Sequence, residues 1–364
     1  MSTRRGFLAG LVATGLIPKP SWADAGAPSY LAAGMLPSGD YNLFGLTETG
    51  AEIFRLPLPG RGHAAAAHPH RPEAVAFARR PGTFAIVIDC AKGEIEATLE
   101  SPEGRHFMGH GTFSPDGTRL FTPENAYNET SGVIGIWDAE HGYARIGEFV
   151  SGGVGPHDIC LLPGTDIFAI ANGGIETHPD SGRTKLNIPI MRPNLSYATL
   201  QGELLETVEL PREYHKNSLR HLSVRDDGLI AFAMQWEGDV NDNPPLAGLH
   251  RMGGEMVLAE APADVHQRMR AYAGSVAFSE SGDSFAITSP RGGEMQVFDS
   301  ETAEFLSAVD SDDICGLSSG EGGFTYTTGK GIFGCVGGDS PRSPSRHEVA
   351  FDNHLVRIPS PDAA

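Results

Sequence analysis

This 364-residue sequence is poor in the features that would mark a disulfide scaffold, a haem carrier, a membrane anchor or a nucleic-acid binder. Its four cysteines, Cys90, Cys160, Cys315 and Cys335, are too few to staple a chain of this size, and the sequence leaves their pairing open. No Cys-x-x-Cys-His run occurs, which excludes covalent c-type haem. Basic residues are outnumbered, 27 Lys and Arg against 46 Asp and Glu, for a net charge of -19. Such a surface repels nucleic acid and anionic lipid and favours cations or cationic partners. The apolar run Phe7 to Ile17 covers about half of the ~20 helical residues that a bilayer requires, so no membrane insertion is expected. Helical patterning is scarce as well: only Pro262 to Ala273 reads as a short helix, with Asp264 in its first turn.

The N-terminus carries a different signal. Thr3-Arg4-Arg5-Gly6-Phe7-Leu8 sets an arginine pair before a Phe-Leu step, and Pro18, Lys19 and an Ala23-Asp24-Ala25 triplet follow the apolar run. A charged start, a short apolar middle and a small-residue exit predict a twin-arginine signal peptide over residues 1–25 and a periplasmic protein. An ordinary secretory signal is the alternative, because Ala9 stands where a lysine often closes the pattern. Residues 26–364 are then expected to form one domain.

That domain is rich in turn formers, with 46 Gly and 26 Pro in the whole chain, and it repeats itself. Thr112 to Phe121 and Val276 to Phe285 each read as a short apolar strand, a tight turn ending in Gly, and a second strand. Ile159 to Ile170 and Leu222 to Phe232 are related copies. Asp-Gly and Pro-Gly supply the turn geometry that joins antiparallel strands. A third strand ends in an aromatic-Asp pair, Trp137-Asp138 or Phe298-Asp299, and a fourth follows, as in Arg145 to Val150. Four strands in about 45 residues predict an all-β, seven-bladed β-propeller of the WD or YVTN and quinoprotein-dehydrogenase-like kind, closed by its N- and C-terminal strands. Two stretches break the pattern, Gly173 to Thr199 and Glu237 to Gly254, and read as long insertions of the sort that carry binding function.

Aligning the copies on their turn glycine exposes a column. Seven residues before Gly117, Gly164 and Gly228 stand His110, His157 and His221; before Gly282 and Gly322 stand Ser275 and Cys315. His63 and His354 fall in the same column of two further copies. Inner strands line the channel of a propeller, so one equivalent position in each blade forms a ring at one mouth. Glu124-Asn125, Asn172 and Gln235 return to the same face at the ends of second strands. The expected ligand set is therefore His63, His110, His157, His221, His354, Glu124 and Cys315, suited to iron, copper or zinc. His106 and Met108, in the loop entering His110, are softer or additional donors. The opposing readings are a structural Gly-His pair of the WD type at Gly109-His110, a solvated turn carboxylate at Glu124, and a Cys315–Cys335 disulfide. His68, His70, His141, His178 and His250 read as loop residues.

Arg105-His106-Phe107-Met108-Gly109-His110-Gly111-Thr112-Phe113-Ser114, Gly155-Pro156-His157-Asp158-Ile159, Ala171-Asn172-Gly173-Gly174-Ile175-Glu176-Thr177-His178-Pro179, Arg192-Pro193-Asn194-Leu195 and Asp352-Asn353-His354-Leu355 together resemble an uncharacterised family of twin-arginine-exported bacterial propellers, catalogued as a domain of unknown function. The resemblance covers essentially the whole chain after the signal. Members of that family are often encoded beside imelysin-type and di-haem oxidoreductase-type iron-acquisition proteins. The resemblance thus implies a role in periplasmic iron or other metal handling, and together with the histidine column and the long loops it leads to the expectation of a monomeric metal-binding accessory of an iron-uptake system, iron being the first metal to expect, with periplasmic or lipoprotein components docking on the long-loop face. It supplies no catalytic residues. A metal-dependent oxidoreductase or a lactonase-like hydrolase stays open, since propellers host both, although a lactonase needs a hard, oxygen-rich calcium site rather than imidazoles. Pure scaffolding is a third alternative.

Overall fold

A computed structural model describes residues 20–79, 83–182, 184–337 and 343–359. Residues 1–19 of the expected signal peptide lie outside them, whereas 20–25 are described: Trp22 and Ala25 are buried in the apolar layer of Leu31, Leu43, Ala74 and Ala76, and Trp22 donates from Nε1 to the carbonyl of His68 at 2.9 Å. The strands assemble into seven antiparallel sheets, each four strands deep from channel to rim, one inner strand being split in two. This is the seven-bladed β-propeller that the repeats predict.

Blade I closes the ring. Its inner strand is Ala350–Arg357, from the end of the chain, paired antiparallel with Tyr30–Met35, which in turn pairs Tyr41–Leu46 and then Glu52–Leu58. The inner strands of blades II to VII follow in chain order: Gly62–Ala67, the split pair Arg105–Phe107 and Thr112–Phe113, Pro156–Leu161, Asn217–Val224, Ser275–Phe278 and Ile314–Gly320.

The apolar core lies between the blades rather than at the centre. Side chains alternate across a strand, so Ala74 and Ala76 pack toward blade I while Val75 and Phe77 pack toward blade III. Each of the seven blade-to-blade contacts is one such cluster, for example Tyr30, Phe44, Phe333 and Phe351 between blades VII and I. The period-two pattern with both faces apolar is therefore the direct cause of the ring: every sheet must be covered on both sides, and only closure covers all of them.

Three expectations need adjusting. The helix is shorter than Pro262 to Ala273: it covers Ala263–His266 and passes into a 3-10 turn at Gln267–Met269, because Arg270 and Ala271 adopt left-handed backbone with φ of 50° and 56°. The two insertions also end sooner, since Asn194–Thr199 and Ala247–His250 are the third strands of their blades. All four cysteines are free thiols, so Cys315 and Cys335 are not joined.

Candidate metal centre

The site begins with a fault in the β-ladders. An inner strand presents its backbone edge to the channel and its side chains to the neighbouring blades, so a regular strand would bury the column residues sideways. In six of the seven blades the register breaks at that column: between Gly62 and Ala65, Pro156 and Asp158, Leu219 and His221, Ile314 and Leu317, opposite Ala32 to Gly34 in the closing strand, and between Phe107 and Thr112, where the strand is split. Ser275, the small residue of the column, pairs with Thr288 in an unbroken ladder. A bulge bends its strand and re-aims a side chain, which is how residues of five blades come to point into the channel.

The result is a cluster of five imidazoles. Ring centroids lie 4.6 Å apart for His63–His354 and His110–His354, 4.7 Å for His221–His354, 4.9 Å for His157–His221 and 5.0 Å for both His63–His110 and His110–His157. Two overlapping triads bring one donor atom each within 4.8 Å of the others: His63, His110 and His157, and His110, His221 and His354. Nε2 of His110, both ring nitrogens of His221 and Nε2 of His354 are buried without a hydrogen-bond partner.

Carboxylates stand behind the ring. Asp158 Oδ1 lies 3.1 Å from His110 Nδ1. A carboxylate accepts, so His110 carries its proton on Nδ1 and turns the Nε2 lone pair inward. The other oxygen of Asp158 accepts from the backbone N–H of Leu222 at 3.0 Å, which fixes the strand that carries His221. Asp352 Oδ1 faces His63 Nδ1 at 3.7 Å and accepts from Arg79 at 2.8 Å, while its Oδ2 accepts from Arg61 at 2.6 Å. Arg220 donates from Nη1 to His157 Nδ1 at 3.2 Å. Tyr272, in the connection from blade V to blade VI just after the short helix, accepts at its hydroxyl from Asn353 Nδ2 of blade I at 3.2 Å.

Burial decides the protonation. It holds His63 down to about 4, against the opposing pull of Asp352. It holds His157, His221 and His354 well below the ordinary imidazole value, with Arg220 adding to the effect at His157 and the neighbouring histidines adding at His221 and His354. These four rings are therefore neutral at pH 7, the form that binds metal.

Two expected ligands are not brought into the cluster. Glu124 is fully buried, but both its oxygens are taken by Arg145, at 2.7 and 3.0 Å, and one also accepts from Thr122. It is an internal ion pair of blade III rather than a ligand or a solvated turn acid. Cys315 keeps its proton, since burial pushes the thiol up to about 12, and donates toward the carbonyls of Thr327, Phe351 and Asp352. The other polar residues of this face are structural: Asn172 bonds Ser151 and Asn194, Gln235 bonds the carbonyl of Ala273, and His106 pairs with Asn125. Met108 is buried in the chain between the two halves of the split strand. His68, read as a loop residue, is a buried tie: it bonds Gly117 O of the next blade and accepts from the N–H groups of His70 and Arg71. His250 likewise bonds Tyr197 at 2.7 Å. Asp158, Asp352 and Arg220 were not singled out from sequence, although His157-Asp158 and Asp352-Asn353-His354 place an acid beside a column histidine.

A family model described as a protein of unknown function, DUF1513, matches residues 56–358. No curated protein sequence matches the chain. Among solved structures, hydrazine synthase of Kuenenia stuttgartiensis superposes with a TM-score of 0.60 at 11% identity, over 83% of this chain and 93% of that one. A chain of the mitotic checkpoint complex superposes with a TM-score of 0.54 at 11% identity, over 78% and 76%. At such identities the likeness is one of fold alone.

Proposed function

The chain belongs to the DUF1513 family, whose function is unknown, and so we propose from the site itself that it binds one transition-metal ion in the channel mouth, His110, His221 and His354 being the principal ligands. The observation that carries this reading is the set of buried, partnerless imidazole nitrogens on those three rings. Leaving a buried polar group unsatisfied costs about 1–3 kcal/mol each, and three such groups within 4.8 Å of one another repay that cost together when one ion takes their lone pairs. Asp158 behind His110 supports it further, because a carboxylate behind a ligating imidazole orients the ring and raises its basicity. Imidazole suits iron, copper and zinc alike.

The finer reading is a periplasmic accessory of iron uptake that carries iron, exported by the twin-arginine route, with its partners on the face of the long loops. It draws on the sequence of residues 1–25 and on the family resemblance, and the acidic chain suits a protein that meets cations. In vitro, copper and zinc are expected to bind more tightly than ferrous iron, as for most nitrogen sites; iron in the native protein would then reflect supply.

Calorimetric titration of Zn(II), Cu(II) and Fe(II) tests the site. His110→Ala, His221→Ala and His354→Ala should each weaken binding by at least about tenfold, with the circular dichroism of the wild type. Wild-type protein that binds no more metal than the His110→Ala variant would overturn the proposal. Protein taken from its native periplasm should contain iron, and zinc or copper there in its place would reject the iron assignment alone.

A further inference from the structure

Arg220 is out of place beside a metal. It sits next to the ligand His221 in sequence, its Nη1 contacts His157, its Nε is buried without a partner, and it makes no ion pair among the described residues. The other guanidiniums of this mouth, Arg61 and Arg79, share Asp352. A cation entering the cluster therefore meets a buried positive charge that Glu237, itself ion-paired with Lys185, offsets only without direct contact, which ordinary electrostatics penalises.

The hydrogen bond to His157 has a second consequence. A guanidinium only donates, so His157 Nδ1 accepts, and the neutral ring must carry its proton on Nε2. In that tautomer His157 is a hydrogen-bond donor and not a ligand, although its ring centroid lies 5.0 Å from that of His110 and 4.9 Å from that of His221. His110 shows the opposite arrangement, with its proton drawn to Nδ1 by Asp158 and Nε2 free. The five rings thus divide into those that offer lone pairs and one that offers an N–H, and the N–H is linked to an unpaired guanidinium.

We propose that His157 and Arg220 form an anion seat next to the metal, so that the protein binds its ion together with a small oxyanion such as phosphate, carbonate or a carboxylate. This rests on the metal-site reading above and adds the second ligand. The anion would take an open coordination position of a three-histidine centre, accept from His157 Nε2–H and the Arg220 guanidinium, and supply the negative charge that the neutral imidazoles lack. The same pair would also let an anionic chelate deliver the metal.

The test uses the full chain loaded with Cu(II), with azide as the reporting anion through its charge-transfer absorption and phosphate as competitor. Wild-type protein should show a saturable azide band that phosphate displaces. Arg220→Gln should raise the azide midpoint at least about tenfold while Cu(II) affinity stays within about threefold, the range expected when an outer partner of a bound group is lost. Arg220→Lys, which keeps the charge but not the fork, should fall between the two and serves if the glutamine variant does not fold. His157→Gln, which retains an N–H, should hold azide better than His157→Ala. An unchanged azide midpoint in the Arg220 variants would overturn the anion seat. Loss of Cu(II) binding in His157→Ala would overturn it too, by making His157 a ligand. Failure of the wild type to bind Cu(II) would instead sink the metal site on which it stands.

Discussion

At the scale of the residue, four rings of the cluster, His63, His157, His221 and His354, are bases kept from protonating. The unfolded chain binds protons on these histidines near pH 6.5, whereas His63 in the fold resists until about 4 and His157, His221 and His354 also resist well below the ordinary value. Because the folded values are lowered, the stability these rings contribute is complete above about 6.5 and is lost as pH falls toward the folded values, by up to about 1.4 kcal/mol per pH unit for each ring. Below that window Asp352, held far down by His63, Arg79 and Arg61 once burial is overcome, adds a further loss. Metal-free protein should therefore melt several degrees lower at pH 5 than at pH 7, and substituting His221 with Gln should flatten that slope; a melting temperature independent of pH between 7 and 5 would contradict it. Three of the five histidines were legible in the sequence because Gly117, Gly164 and Gly228 fix the register of their copies, and His63 and His354 were placed by the likeness of their strands to those copies. Glu124 and Cys315 were misplaced because register says nothing of the partner a side chain finds: Arg145 comes from another strand of blade III, and the carbonyls around Cys315 come partly from the closing strand.

At the scale of the element, the inner strand is the unit that makes the site, through its irregularity. Gly109 lies in the split strand of blade III with φ of 97°, and a Cβ there would come within 2.5 Å of His63 Cδ2. Alanine at this position carries both a backbone penalty of about 1–2 kcal/mol and a clash with a ring of the cluster. Gly164, with φ of 67° and open space about it, carries the backbone penalty alone. Gly109→Ala should thus lower metal affinity about tenfold or more, while Gly164→Ala lowers only the melting temperature; equal effects of the two on metal binding would show that the approach to His63 is irrelevant. Strand alternation and Gly turns were plain in the sequence. The bulges were not, because an extra residue in a ladder shows only against the partner strand, and the helix overran because Arg270 and Ala271 adopt a conformation their side chains do not announce.

At the scale of the whole molecule, seven apolar layers between blades and one closing strand make the ring a single cooperative body. Removing the residues after Val349 would strip Phe351 and Leu355 from the layer between blades VII and I and expose the edge of Tyr30–Met35. Large apolar truncations cost about 3–5 kcal/mol per side chain, so the truncated protein should melt about 10 °C or more below the intact one; an unchanged melt would place ring closure elsewhere. Closure was legible because the C-terminal segment repeats the inner-strand pattern without strands of its own. That same strand holds His354 and Asp352. A ribosome makes His63 early and His354 last, so nascent chains lack the complete histidine cluster until synthesis reaches the closing strand and the ring shuts. On the proposed metal site, loading would be tied to completion of the polypeptide, and a prematurely terminated product would be unable to sequester an ion.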